Sequence, residues 1–544
     1  MYTYPQQDGQ QLRPITKFRP VKIDNEAKKL LLDQDDFIKE EENFSSAISK
    51  AKANAKRISK MIKDDQEVLS CQKLELKRLD SQAVEKGLLV NELKYMGSAL
   101  YPMERIPHLA YDMATTEYRK IYNPLKKTEK NKFVSMEEFI TSSAYFKSND
   151  DFKKIKKYIR AGPKEEIFFE PSEVKALIVT CGGLCPGLNS VIRELVMCLH
   201  YNYGVNSIHG SSFGYQGIYD PETWVELTPL KVKNIHYQGG TWLGTSRGGF
   251  DLEKILNAMV QNGINQLYVI GGDGTHAGIY EIYREVKKRQ LKIAVAGIPK
   301  TIDNDIPIID CSFGYQTAIE EAQRAIQAAW VEAHSHQYGV GLVKLMGRQA
   351  GWIAMGASYA ARNVNICLIP ESQFDLYGEK GLLEYVYQRL SKGKSCVIVV
   401  AEGAIDGCRD LKMEYIKGTD KSGNPILPDV ATQIKKEITS YCGDKGMQVT
   451  LKYIDPSYMI RSVKANAQDQ KICSYVAQNA VHGCMFGFTG FSNGLVNGKN
   501  CLLSLEELLQ KDQVKNVPQD FRQWRKFLLS SGQPTFLNDQ PENL

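Results

Sequence analysis

The chain has 544 residues, 43% hydrophobic and 24% charged, an ordinary globular composition with ample length to bury a core. The formal net charge of +6 is mild and dispersed; it suits a binder of phosphorylated small molecules and argues against nucleic acid. The 12 cysteines are spread without a CxxC pair, and no apolar run approaches the ~20 residues of a membrane span. The thiols therefore read as reduced, and no membrane partner is expected. The first residues, MYTYPQQDGQQLRP, carry no apolar stretch, and acidic residues soon follow; these features predict a cytoplasmic protein.

In chain order, residues 22 to about 95 are rich in Lys, Glu, Asp, Leu and Ala and read as helix, a solvated extension without chemistry of its own. Residues 96–165 read as a mixed connector. From about 172 the pattern becomes strand, glycine loop, helix. Ala176–Thr180 is an apolar run entering CGGLCPGLN, followed by Leu188, Ile192, Leu195 and Leu199 at helical spacing. Leu267–Ile270 enters GGDGT, with Ile279, Ile282 and Val286 on one helical face. Ile293–Ile298 enters PKTIDND. Further strand-like runs are Gly339–Leu345, Asn365–Ile369, Cys396–Ala401 and Met447–Ile454. Strands alternating with helices predict parallel sheets covered on both faces, with ligands at the carboxyl ends of the strands.

The glycine- and acid-rich segments occupy those ends. Loops at Gly182-Gly183, at Gly239 to Gly249 and at Gly271 to Thr275 follow strands. Backbone N–H groups in such loops can approach phosphate oxygens, and the next helix N-terminus favours an anion. None is a GxxxxGK[ST] loop, and any one alone would read as a tight turn; three together favour phosphate. Asp273 is placed either to hold Mg²⁺ or to cap the following helix. In PKTIDND, an extended chain would point Asp303 and Asp305 to the same side, one to accept a proton and one to manage metal charge, with Lys300 as a nearby cation.

Together these segments closely resemble the phosphofructokinase family. The resemblance rests on GGLCPGLNSVIR, GYQGIY, GGTWLGTSRGG, IGGDGT, PKTIDND, FGYQTAIEEAQRAI, LVKLMGRQAGWIA, VVAEGA and KYIDPSYMIR, in unbroken order from about 160 to about 500. It looks nearest to the ATP-dependent type of the plant and protist branch. The resemblance implies an α/β fold of two Rossmann-like parallel-sheet domains behind a helical N-terminal extension. Residues 1–165 would be the extension and connector; 166–313, with about 456–500, the ATP and Mg²⁺ domain; 314–455 the sugar-phosphate domain; and 501–544 a C-terminal extension.

It also implies roles. Gly183, Tyr215, Arg247, Gly248, Gly272, Asp273, Gly274, Thr275 and Gly278 would line the ATP site. Asp273 and Asp305 would hold Mg²⁺. Lys300, Thr301, Asp303 and Arg348 would be catalytic, with Asp303 as base. Thr301, Ile302, Asp303, Met346, Gly347, Arg348, Glu402, Lys452, Tyr458, Met459, Ile460 and Arg461 would hold fructose 6-phosphate. The implied assembly is a homo-oligomer, a tetramer, in which Lys452 serves a neighbouring subunit. The pyrophosphate-using type resembles this chain too but carries Asp at the place of Gly274 and Lys at the place of Lys300; only the second mark is present. Tyr338 stands where many bacterial members have a substrate-contacting Arg, and Met197 where they have an effector-binding one.

Overall fold

The computed structural model describes residues 105–112, 121–127, 133–143, 155–411, 416–419, 425–510 and 514–539, all within the compact unit Val90–Leu544. The helical extension expected over residues 22–95 lies outside the described residues.

Two sheets organise the chain. The larger has nine strands, in the order Phe139–Thr141, Lys157–Arg160, Lys499–Ser504, Phe491–Val496, Ala294–Pro299, Gln266–Gly271, Lys175–Thr180, Ser207–Ser211 and Val225–Glu226. Its five central strands, from Phe491–Val496 to Ser207–Ser211, run parallel. Both edges are antiparallel. The smaller sheet is wholly parallel, in the order Ile366–Leu368, Cys396–Ala401, Gly339–Leu345 and Thr450–Ile454. Gln266–Gly271, Ala294–Pro299 and Cys396–Ala401 are buried at every position. Burial on both faces is why they read as unbroken apolar runs instead of alternating ones.

The helices follow the expected faces. Helix Leu188–Met197 buries Leu188, Ile192 and Leu195, and Asp273–Lys288 buries Ile279, Ile282 and Val286. The second has an acid in its first turn and Lys287 and Lys288 in its last, both favourable to the helix dipole. Two strands of the larger sheet lie inside the expected connector, Phe139–Thr141 and Lys157–Arg160, and the Lys499–Ser504 strand runs past residue 500. The larger sheet thus draws on segments at both ends of the family-like region. Segment 514–539 packs chiefly against the lobe of the smaller sheet through Cys367, Glu371 and Asp375. The described cysteines are free thiols, all but Cys311 buried. Among the described residues no helix is long and apolar enough to cross a membrane.

Candidate functional site

The carboxyl ends of the central strands converge. The Lys300 N–H donates to the Gly271 carbonyl at 2.9 Å, so PKTIDND begins hydrogen-bonded to the GGDGT strand. The Lys300 ammonium donates to the Gly183 carbonyl at 2.8 Å, reaching the first glycine loop. That loop receives the third: Gly182 N–H donates to the Ser246 carbonyl at 2.9 Å, and Thr245 Oγ1 donates to the Gly182 carbonyl at 2.7 Å. A Cβ on Gly183 would lie 3.6 Å from the Arg247 guanidinium. Gly248 sits in the left-handed region at φ 80°, where glycine is favoured.

The GGDGT loop is built around close approach. A Cβ on Gly271 would meet Thr275 at 2.4 Å, and one on Gly278 would meet the Tyr215 hydroxyl at 2.9 Å and the Phe250 ring at 3.0 Å. Tyr215 donates to the Thr275 carbonyl at 2.7 Å and packs edge-on to Phe250. Gly272 occupies the cap position of the helix, and Asp273 is its first residue, one place beyond the cap. Gly274 is different: a Cβ there would meet nothing within 4 Å. His276 is structural, its ring between the Gly272 carbonyl and Ser492 Oγ.

PKTIDND departs from the expected extended chain. Asn304 turns into the left-handed region at φ 55° and accepts from the Ser312 N–H. The Thr301 hydroxyl accepts from the Asp303 N–H and donates to Asp305 Oδ1, each at 3.1 Å. A turn, not a strand's alternation, therefore brings the acids together. One Asp303 oxygen, Oδ1, is buried without a hydrogen-bond partner. Burial pushes the Asp303 carboxyl well above the carboxylate range; Asp305 and Glu402 add to this, and Arg348 and Lys300 oppose it. Asp305 is pushed up to about 6, by burial and then by the charge of Asp273. Asp273 keeps solvent contact at the lip of the cleft, yet the protein crowded round its carboxyl raises its proton affinity, against Lys300. Burial likewise lowers the proton affinity of Lys300.

The second lobe supplies the facing groups. Gly347, at φ 126°, turns the chain after the Gly339–Leu345 strand, and its carbonyl accepts from the Gly403 N–H at 3.1 Å. The Arg348 carbonyl packs so closely that a Cβ on Gly403 would clash at 1.9 Å. Glu402 is raised by burial and held down by Arg348, Lys344 and Arg461. Asp303, Asp305, Lys300, Glu402, Arg348 and Arg461 thus share one electrostatic neighbourhood. Met346 is half-buried, and Ile302 and Ile460 are buried. Arg461 lies over the Tyr458 ring at 4.8 Å. Tyr458 and Met459 are exposed, and Lys452 pairs with Glu332 at 3.5 Å on the half-exposed strand Thr450–Ile454.

Three contributors escaped the sequence reading. Lys344 bonds Asp455 at 2.6 Å beside Glu402; a lone cation in the apolar run GVGLVKL was its signal. Glu371 accepts from the Gly351 N–H at 2.9 Å just beyond Arg348. Lys515 donates its backbone N–H to the Asp305 carbonyl at 3.0 Å, with no local pattern to announce it.

Among the described residues no cluster of three or more metal-ligating side chains occurs. Mg²⁺ typically takes one or two carboxylates and completes its shell with water and phosphate. Asp273 and Asp305 could supply such a pair: the charge of Asp273 is felt at Asp305, where it adds to burial in raising the proton affinity.

Fold and site define a two-lobed α/β protein whose glycine loops converge on an acid-rich turn. The sequence pattern of the family described as phosphofructokinase matches residues 175–484. The chain is 46% identical over 446 residues to ATP-dependent 6-phosphofructokinase 7 of Arabidopsis thaliana, covering 81% of this chain and 90% of that one. It is 44% identical over 384 residues to the ATP-dependent 6-phosphofructokinase of Borreliella burgdorferi, covering 69% and 85%. Among solved structures, a pyrophosphate-dependent phosphofructokinase from Marinobacter aquaeolei superposes with a TM-score of 0.54 at 20% identity, covering 68% of this chain and 95% of that one; this likeness concerns the fold alone. The chain belongs to the phosphofructokinase family.

Proposed function

We propose that this protein transfers the γ-phosphoryl group of ATP to the 1-hydroxyl of fructose 6-phosphate. The observation that carries the reading is the buried, unpartnered Asp303 oxygen, set between the Lys300 end of the glycine loops and the Arg348–Glu402 wall. An acceptor hydroxyl entering the cleft supplies the hydrogen bond that oxygen lacks. Its raised proton affinity makes Asp303 a better base than an exposed carboxylate. Arg348 and Lys300 meet charge developing on the transferring phosphoryl group. Glu402 accepts from a sugar hydroxyl. The lobe of the larger sheet takes ATP across the loops of Gly183, Arg247 and Thr275, and the smaller-sheet lobe takes the sugar phosphate. Asp273 and Asp305 would hold Mg²⁺, which when bound neutralises phosphate charge.

ATP is favoured over pyrophosphate by Gly274. An added Cβ there meets no protein atom within 4 Å, so the position faces space a nucleotide can use. The relatives named above as ATP-dependent support the same donor. The half-exposed strand bearing Lys452, with exposed Tyr458 and Met459 nearby in sequence, supports a homo-oligomer in which Lys452 clamps the 6-phosphate of a neighbouring subunit. The enzyme works in the cytoplasm on this reading. A coupled assay on fructose 6-phosphate with ATP or pyrophosphate tests the donor: turnover with pyrophosphate and hardly any with ATP overturns it.

A further inference from the structure

The C-terminal segment touches the reaction loops of both lobes within a few residues. Lys515 N–H donates to the carbonyl of Asp305 at 3.0 Å. Its ammonium donates to the carbonyls of Ile309 at 2.8 Å and Asp310 at 2.6 Å, so three carbonyls of the loop that begins at PKTIDND rest on one residue. The Lys515 carbonyl in turn accepts from the indole N–H of Trp352, and its ammonium lies 5.1 Å from the Trp352 ring centre. Trp352 opens the helix Trp352–Ala361, four residues after Arg348. A second tie runs in parallel. Val517 N–H donates to Glu371 at 2.8 Å, Gln519 donates to the Glu371 carbonyl at 2.7 Å, and the Glu371 carboxylate accepts from the Gly351 N–H.

The placement is economical in a physical sense. Asp303 and Arg348 stand on loops of different lobes, and phosphoryl transfer depends on their mutual position; displacements of ~1 Å can cost about 10²-fold in rate. Carbonyls of an irregular loop have no ladder to hold them. An ammonium with three donors satisfies two of them at once and is itself steadied by the indole. We propose that Lys515 is a positioning residue that holds the base-bearing loop in register with the arginine-bearing loop, through Trp352. The proposal rests on the reading of Asp303 and Arg348 given above.

The test compares Lys515→Met with Lys515→Arg in the full chain. Met keeps the stem against the indole and loses the donors; Arg keeps donors and cation. The expected result is a kcat at least about tenfold lower for Lys515→Met, with KM for fructose 6-phosphate and for ATP within about threefold of wild type, and recovery of most of kcat in Lys515→Arg. Trp352→Phe, which keeps a ring and removes the N–H, gives the same kcat signature, and the double variant is no worse than the poorer single one. A kcat for Lys515→Met within twofold of wild type overturns the proposal, as does a loss shared equally by Lys515→Arg. If Lys515→Met does not fold, an unchanged kcat in Trp352→Phe overturns it alone. A wild-type protein that fails to use ATP and fructose 6-phosphate refutes the function and not the brace.

Discussion

Replacing Asp305 by Asn is expected to make the ligand-free, metal-free protein more stable and less active. In the folded protein this carboxyl is pushed from its ordinary 3.8 up to about 6, by burial first and by Asp273 second. At 1.36 kcal/mol per tenfold change in proton affinity, holding it ionised costs about 3 kcal/mol of folding free energy. The sign follows from the direction of the shift: the folded state binds this proton more tightly than the unfolded one. Below about pH 4 both states carry the proton and nothing is lost. Stability falls as pH rises from about 4 to about 6, and the full cost is present above that. Asn keeps the acceptor for the Thr301 hydroxyl and removes the charge. Denaturant unfolding of Asp305→Asn in chelator should therefore show a gain of up to about 3 kcal/mol at pH 8 that shrinks towards zero at pH 4. Turnover should fall, because the same carboxylate is assigned to Mg²⁺. A variant no more stable than wild type at pH 8, or equally stabilised at pH 4 and pH 8, would refute the reasoning.

Asp303→Asn should lower kcat by about 10²–10⁴-fold, the usual scale for a lost general base, while equilibrium binding of fructose 6-phosphate changes much less; near-normal turnover in folded protein removes Asp303 from the role. Gly274→Asp should leave the melting temperature unchanged, since the new Cβ meets nothing within 4 Å, and should raise the KM for ATP steeply. Like charges ~4 Å apart repel by up to about 4 kcal/mol at an effective dielectric of 20, so ATP kinetics at wild-type level would sink the donor argument. Mixing inactive Asp303→Asn with Lys452→Ala under conditions of proven subunit exchange should restore activity; no recovery places Lys452 in its own subunit's site.

The parallel cores were legible because burial on both faces leaves no room for polar residues. Gly339–Leu345 and Cys396–Ala401 coincide with the strands found, and Ala294–Pro299 differs from its expected run by one residue at each end. The antiparallel edges were not legible. Phe139–Thr141 and Lys157–Arg160 are short and partly exposed, so neither periodicity nor hydrophobicity marks them. At the site, residue types carried the reading and backbone geometry did not. Nothing in PKTIDND distinguishes an extended chain from a turn with left-handed Asn304. Lys515 was invisible for another reason: its partners Asp305, Ile309 and Asp310 lie some two hundred residues earlier, and a single lysine in a polar segment has no local signature.

The charges in the cleft are arranged for something other than one another. Asp273, Asp303, Asp305 and Glu402 all hold protons more tightly than free carboxylates, and Lys300 holds its own less tightly. Burial is the leading cause in each case, and even Asp273, which keeps solvent contact, has protein crowded round its carboxyl. Had stability been the only demand, tight pairing of Lys300 with Asp303 would have relieved both; instead Lys300 spends a donor on the Gly183 carbonyl, and one oxygen of Asp303 goes without. On the proposed function, a divalent cation would answer the carboxylates and phosphate oxygens would answer the lysine and arginines. Under that reading the cost would be relieved by the reactants themselves, and most fully where transferring charge lies between Lys300 and Arg348. That is the condition for stabilising a transition state more than the groups that form it.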